Sequence, residues 1–486
     1  MRRTLKSTIM LSGGSLLAIL TGLVTGKLSA LWLGPRGVGL LGDFRSTMVL
    51  AGLILGFGMA TAITRLGSQA LACNDELTFS ALVWAAFASV ILLVTLSAGV
   101  LILWGARIAA VLYGDHAFTA PAITWLLLSV LGNLLAGLES GILRARLSYI
   151  KTLAGASIFN VSLTFAFSMV GLATHNVNGM LPVFAASSFA HAITLGILIG
   201  RHKLIHHRRL SGHEIFKGLK RLYQFGGPYT LSMMVGNGVQ SILPVLVLHW
   251  IGARNLGFYM AAITISTQYM GFLTNSMGQD YLPRLSAETE PARIEEIIMQ
   301  ELSIILLIIL PLVTLVMMLA PAVIPLVYTP SFKETVSLLQ WMVAADILRF
   351  GSWSFTYAVL AKASGRYYLL LELIGGISTL LFSWTGMLIG GLNGLGWAYV
   401  IIYLTLAIAS LIVGFHTLPL HWQNFPKETI AISVATVIVM RILTLWPSSP
   451  VIIGAMALLV SGIVFRSYRH LSRGWNVGIP ANSTTP

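Results

Sequence analysis

The sequence predicts an all-α integral membrane protein of about fourteen transmembrane helices: two pseudo-symmetric six-helix lobes and a C-terminal helical hairpin. Three observations carry this prediction. Hydrophobic residues make up 56% of the 486 residues and charged residues 9%, too little charge to keep a chain of this size dispersed in water. The apolar residues gather in runs of about 20, the length that crosses a ~30 Å hydrocarbon core as a helix. These runs are continuous rather than alternating, which favours helices over a membrane barrel. Finally, the runs of the first half recur in a second half, shifted by about 218 residues.

The predicted spans are 10–33, 43–66, 78–104, 119–143, 152–173, 180–200, 225–251, 256–281, 298–320, 335–360, 367–390, 395–414, 428–446 and 450–466. The first follows Arg2, Arg3 and Lys6, as a signal peptide would. It is too long for one and shows no small-residue cleavage site, so it reads as a retained helix. The loop after it, WLGPRGVG (Trp32 to Gly39), has its counterpart in WIGARNLG (Trp250 to Gly257), between spans seven and eight. Further on, Arg144, Ala145 and Tyr149 match Lys362, Ala363 and Tyr367 at the same offset. The longest polar stretch, Arg201 to Arg221, holds seven Lys or Arg and four His. It reads as a basic linker lying on an anionic lipid surface. The pair His206–His207 has no nearby Cys or paired carboxylates to complete a metal site. Gly-rich segments, Gly375 to Ser378 and Gly390 to Gly396, allow close helix approach or bending. The last two spans fall outside the repeat, joined by WPSSP (Trp446 to Pro450), and the polar tail from Gly474 reads as disordered. The organisation is thus an N-terminal lobe over 1–200, a linker over 201–222, a C-terminal lobe over 223–416, and a hairpin with tail over 417–486.

The net charge of +14 is a topology signal rather than a sign of nucleic acid. With the amino terminus in the cytoplasm, 22 of the 30 Lys and Arg fall in cytoplasmic segments. Four (Arg36, Arg107, Arg254 and Lys333) fall on the other side, and four (Lys27, Arg45, Arg349 and Arg441) within or at the edge of spans. Both termini are therefore expected inside, in a multi-pass inner (cytoplasmic) membrane protein. The single cysteine, Cys73, excludes an intrachain disulfide and a thiolate metal cluster. No nucleophile elbow, phosphate-binding loop or HExxH motif is present, and no outer loop exceeds roughly 15 residues. Transport rather than catalysis is expected, with no cofactor and no metal.

Ionisable groups within spans cost about 2.5–3.5 kcal/mol each on insertion scales, so they point to a pathway. Lys27 lies too deep to snorkel and needs a water-filled cavity or a carboxylate. Asp43 and Arg45 open the second span, either as interfacial anchors or with Arg45 projecting into a cavity. Asp346 and Arg349 share a helix face at i,i+3: either they neutralise each other, or Asp346 takes a proton and Arg349 binds an anion. Lys27, Arg45 and Arg349 are the candidate substrate-binding residues, and Asp346, Glu372 and Glu139 the candidate coupling carboxylates. Arg144 and Arg146 in LRARLSY, and Lys362 and Arg366 in LAKASGRYY, occupy matching ends of the two halves. They serve either as topology signals or as a cytoplasmic mouth that attracts an anionic head group. Arg441, in the hairpin, is expected to meet lipid.

GKLSALWLGPRGVGLLGDFRS (Gly26 to Ser46), ADILRFGSWSFTYAVLAKASGRYYLLLEL (Ala345 to Leu373) and QDYLPRLSAETE (Gln279 to Glu290) resemble the Wzx-type polysaccharide flippases, especially those that move enterobacterial common antigen precursors. The resemblance implies membership in the multidrug/oligosaccharidyl-lipid/polysaccharide exporter superfamily. It also implies movement of an undecaprenyl-diphosphate-linked glycan to the periplasmic leaflet by alternating access, for O-antigen, common-antigen or exopolysaccharide synthesis. A polysaccharide polymerase and chain-length machinery would be its partners besides the lipid bilayer. Lys27, Arg45, Asp346, Arg349, Lys362 and Glu372 stand where that group has similar charged residues. The two extra helices depart from it and keep a lipid II flippase open. A drug/cation antiporter would favour an acidic cavity, and a membrane enzyme of glycan assembly would need a large outer loop.

Overall fold

The computed structural model describes residues 2–114, 120–146, 149–205, 211–445 and 450–477. Among the described residues there is no strand and there are fourteen α-helices. They are α1 (Arg2–Gly56), α2 (Met59–Ala72), α3 (Glu76–Tyr113), α4 (Ala120–Ala145), α5 (Ile150–Leu172), α6 (Val177–Arg201) and α7 (Gly212–Met233). Then follow α8 (Val239–Ser276), α9 (Leu282–Ala287), α10 (Pro291–Val327), α11 (Thr335–Lys362), α12 (Gly365–Thr417), α13 (Lys427–Leu443) and α14 (Pro450–Val477). Eight segments are long and apolar enough to cross a membrane. Three of the eight are divided into two legs by a non-helical glycine: Gly34 in α1, Gly252 in α8 and Gly391 in α12. The resulting eleven legs, with α11, α13 and α14, correspond one for one to the fourteen predicted spans.

The repeat is written into the backbone. Gly34 (φ 65°, ψ −173°) and Gly252 (φ 87°, ψ 164°) occupy the same place in the two loops 218 residues apart. Only glycine takes up such a conformation without steric cost, so both halves turn at the same residue. Gly39 and Gly257 are also equivalent. A Cβ on Gly39 would lie 2.4 Å from the Ala253 carbonyl oxygen, and one on Gly257 would lie 1.8 Å from that of Pro35. Pro35 and Ala253 are themselves a matched pair, so the contact is reciprocal, as a local two-fold axis requires.

By the density of its contacts the chain divides into two compact units, Met1–Met260 with Val327–Thr329, and Ala261–Leu326 with Pro330–Pro486. In the first, Ile63, Phe79, Leu82, Ile142, Leu143 and Leu195 pack α2, α3, α4 and α6 together. A second cluster gathers Phe44, Tyr113, Ile123, Leu181 and Phe184. Lipid is as apolar as these side chains, so helix association here rests on van der Waals fit and on small residues that admit close approach. Gly141 supplies one such point: a Cβ there would meet the Ala60 carbonyl oxygen at 2.7 Å. In the second unit α11 buries Leu339, Met342, Val343, Phe350 and Phe355. The Gly-rich run after Gly390 acts as a joint, where Gly391 turns α12 and Gly394 seats against Gly386. Apolar side chains such as Ile102 (84% exposed) and Val451 (79% exposed) face outward, which suits a lipid-facing surface.

Three local features differ from the sequence expectation. The second half of the basic stretch is helical: α7 starts at Gly212 behind a capping box, with Ser211 N–H donating to Glu214 Oε2 at 2.7 Å. The pair His206–His207 lies outside the described residues. α14 runs to Val477, so the helix continues past Gly474. Arg441 packs against protein: its guanidinium sits 4.3 Å from the Trp341 ring centroid and donates to Thr444 Oγ1 at 3.0 Å, holding α13 to α11.

Candidate functional site

In the first unit two cations of the predicted pathway converge on one residue. Lys27, on the first leg of α1, is half-buried, and its Nζ donates to the main-chain carbonyl of Tyr328. The expected partner was water or a carboxylate. A carbonyl just past the end of α10 meets the same need, because helix C-termini present unpaired carbonyls to cations. Arg45, on the second leg, interacts electrostatically with the same Tyr328 and stacks over Phe184 at 5.1 Å. Its side chain is exposed.

Asp43 lies two residues before Arg45, and residues at i,i+2 point to different helix faces. It is fully buried beside Tyr113, and neither carboxyl oxygen has a hydrogen-bond partner among the described residues. It is not an interfacial anchor. The i,i+2 spacing was the available signal: if Arg45 faces open space, Asp43 must face the packed side. Glu139 is similar. Among the described residues its buried Oε2 has no hydrogen-bond partner, and a Cβ on Gly196 would lie 3.0 Å from Oε1, so the group is wedged between α4 and α6.

In the second unit Arg349 and Asp346 face each other, with Nη1 and Oδ1 3.8 Å apart. Asp346 is 1% exposed and the guanidinium 16%. Two rings flank the guanidinium, Trp353 at 4.7 Å and Tyr403 at 5.0 Å. At this separation the Coulomb attraction is about 4 kcal/mol for an effective dielectric of ~20, with desolvation opposing it. Glu372 is not isolated: it interacts electrostatically with Tyr368 one turn earlier and with Tyr357.

The four mouth candidates sort into two kinds. Arg146 is engaged, paired with Glu76 at 2.6 Å and stacked over Phe79 at 5.0 Å. Lys362 is engaged too, donating to the carbonyls of Ser286 (3.1 Å) and Glu288 at the end of α9. Arg144 and Arg366 are exposed. The repeat partners Arg144 and Lys362 therefore occupy different environments. Among the described residues no group of three or more His, Cys, Asp or Glu is placed to hold a metal ion.

The lipid III flippases of Escherichia coli (strain K12) and Shigella flexneri are each 25% identical to this chain over 385 residues, which is 76% of this chain and 87% of theirs. The inward closed structure of the lipid II flippase MurJ matches with a TM-score of 0.75 at 14% identity, covering 96% of this chain and 99% of that one. The bent form of the Vibrio cholerae MATE transporter VcmN matches at 0.54 and 15% identity, over 88% and 97% of the two chains. These structural likenesses establish an all-helical fold shared with those chains. Residues 39–337, more than half of the sequence, match the family described as Polysaccharide biosynthesis protein, and the chain belongs to that family.

Proposed function

We propose that this chain is a flippase that carries the anionic head group of a lipid-linked glycan across the bacterial inner membrane by alternating access. The observation that carries the reading is the meeting of Lys27 and the exposed Arg45 on Tyr328 in a membrane protein of this family. A diphosphate leaving water must have its hydration replaced, and fixed cations do this where lipid does not. The polyprenyl tail stays in the bilayer, so only the head group crosses. The lipid III flippases at 25% identity support an undecaprenyl-diphosphate oligosaccharide, of the common-antigen, O-antigen or exopolysaccharide type, as cargo. A polymerase and chain-length machinery then act on the product on the far side. The distribution of the basic residues supports a cytoplasmic side for both termini.

Arg349 extends the same chemistry. While Asp346 is ionised it occupies Arg349; a proton on Asp346 releases the guanidinium for an anion, which gives a coupling step. Glu372 and Glu139 are further proton carriers in this scheme. Lipid II is the second reading, favoured by the α13–α14 hairpin that follows the twelve spans of the two halves.

Transbilayer movement of a labelled undecaprenyl-diphosphate oligosaccharide, in vesicles holding the purified protein and its Lys27→Ala variant, tests the proposal. Movement in the wild type and its collapse in the variant are expected. No movement with common-antigen, O-antigen or lipid II glycans would sink the reading. A rate that stays flat from acid to alkaline pH would remove the proton step alone.

A further inference from the structure

The second predicted span, 43–66, is interrupted along its length. α1 stops at Gly56 and α2 starts at Met59. Between them Phe57 (φ 42°) and Gly58 (φ 63°) both take up the left-handed region. Two such residues in a row, one of them not glycine, are strained, and strained backbone persists only where its surroundings hold it. α7 does so here: a Cβ on Gly226 would lie 2.4 Å from the Phe57 carbonyl oxygen, and the Tyr223 ring sits 4.9 Å from that of Phe57. α7 itself passes into α8 through a π-helical turn, Met234–Gly238, within the seventh span. Such turns are rare and gather at functional sites.

One cavity of about 220 Å³ lies against the break and the last turn of α7. Gly56, Gly58 and Thr61 line it from the break, Asn133 from α4, and Thr230 and Met233 from α7. The volume falls below the roughly 300–1,000 Å³ of small-molecule sites and is ample for an ion with some of its water. The lining residues include neither a carboxylate nor a basic side chain. They do offer oxygen. Thr230 is 4% exposed, and its hydroxyl has no hydrogen-bond partner among the described residues, whereas Thr64 bonds the Ala60 carbonyl one turn back. Asn133 Nδ2 donates to the Ser129 carbonyl oxygen at 2.9 Å and to Met48 Sδ at 3.5 Å, so the amide oxygen is the atom left to accept. The interrupted helix adds carbonyls, because its last turn has no following turn to donate to them. Neutral oxygens suit a hard cation of single charge; an anion would need donors, and a divalent ion carboxylates.

We propose that this cavity binds a monovalent alkali cation, sodium or potassium, through the side-chain oxygens of Thr230 and Asn133 and carbonyl oxygens of the interrupted helix. The site stands on the cavity and its oxygens; the role of the ion in coupling rests on the flippase reading. An ion held at once by α4, α7 and the break ties three elements together at the point where the second span is not helical. Its occupancy stabilises one angle of that joint over others, and a ligand shifts alternating access only through such a difference between states. The ion then acts beside the proton step at Asp346.

The test uses the full chain purified in detergent with choline as the background cation, titrated with sodium or potassium chloride and read by calorimetry. Saturable binding of one of the two ions is expected. It should weaken about tenfold or more in Thr230→Val, which keeps the side-chain volume and deletes the hydroxyl. Thr230→Ser, which keeps the hydroxyl, should bind as the wild type does. No saturable binding of either ion to the wild type overturns the site, and so does undiminished binding in Thr230→Val. Asn133→Leu should weaken binding as well. If that variant does not fold, Asn133→Asp keeps an oxygen there and adds a negative charge: tighter binding supports the site, and unchanged binding overturns it. Coupling is read in vesicles at equal pH on both sides. A gradient of the bound ion should speed movement of a labelled undecaprenyl-diphosphate oligosaccharide in the wild type and leave Thr230→Val unaffected. Movement in the wild type that ignores the gradient overturns the coupling role. No glycan movement at all, with Thr230-dependent ion binding intact, would instead sink the flippase reading and leave the site standing.

Discussion

The two units handle positive charge inside the membrane in different ways. In the first, Lys27 and Arg45 meet at Tyr328, on a main-chain carbonyl and beside aromatic rings. In the second, Arg349 shares a helix face with a buried carboxylate. A carbonyl or a ring attracts a cation without carrying a full opposite charge. A cation beside a carboxylate is neutralised until the carboxylate gains a proton or moves away. The first arrangement suits standing attraction for an anion and the second suits a switch.

The largest effect is expected where that second arrangement is broken. Asp346→Leu leaves Arg349 buried without its carboxylate and should destabilise the chain by about 3–5 kcal/mol. Asp346→Leu/Arg349→Met removes both charges and should recover most of that loss. Thermal unfolding in detergent reads both. Equal instability of the single and double variants would mean that the pair is not the unit that matters. Next in size is the glycine contact that seats the second legs of α1 and α8. Gly257→Ala forces a Cβ against the Pro35 carbonyl oxygen, backbone that has no rotamer to yield. A loss of about 1–3 kcal/mol is expected, and an unchanged melting temperature would show that the contact opens freely.

In the first unit the signature should reverse, with function lost and stability kept. Arg45→Leu removes a cation–π contact with Phe184, about 0.5–1 kcal/mol. Glycan movement should nevertheless fall about tenfold or more, equivalent to roughly 1.4 kcal/mol of lost transition-state binding. Transport at the wild-type rate would remove Arg45 from the pathway and erase the contrast with Arg349.

The repeat and the fourteen spans were legible because each follows from a pattern in the chain: runs of apolar length, and a 218-residue shift carrying the loop at Trp32 to Gly39 onto that at Trp250 to Gly257. The cost of burying Lys27, Arg45, Asp346 and Arg349 was legible too, since it depends only on residue type and depth. Their partners were not. A backbone carbonyl at Tyr328, the rings of Phe184 and Trp353, and the tyrosines around Glu372 carry no spacing signal, because any residue offers a carbonyl and membrane helices are rich in aromatics. Arg441 shows the same limit: its depth was visible, but not its seat on Trp341. The helical start of α7 was written locally, in Ser211 and Glu214, within a stretch whose charge suggested an unstructured linker.

The smallest expected effect lies at the mouth of the first unit, and it tests how Arg146 is held. Glu76, its partner, is the first residue of α3, and Asp75 caps that helix by accepting from the Thr78 N–H at 2.9 Å. The Thr78 hydrogen bonds hold the Asp75 carboxyl below the usual carboxylate range. A depressed folded value means the contribution to stability is present above the unfolded value, about 3.9, and is lost as pH falls through the folded one. Asp75→Ala should therefore cost about 0.5 kcal/mol at neutral pH, the low end for a cap because the group is exposed. The two proteins should converge in stability below about pH 4. Asp75→Asn keeps the acceptor and loses the charge, so it should lose less than Asp75→Ala and show no such convergence. If Asp75→Ala also lowers the coupling measured between Glu76 and Arg146 in a double-mutant cycle, the cap positions Glu76. An unchanged coupling would show that Arg146 finds its carboxylate without help from the helix end.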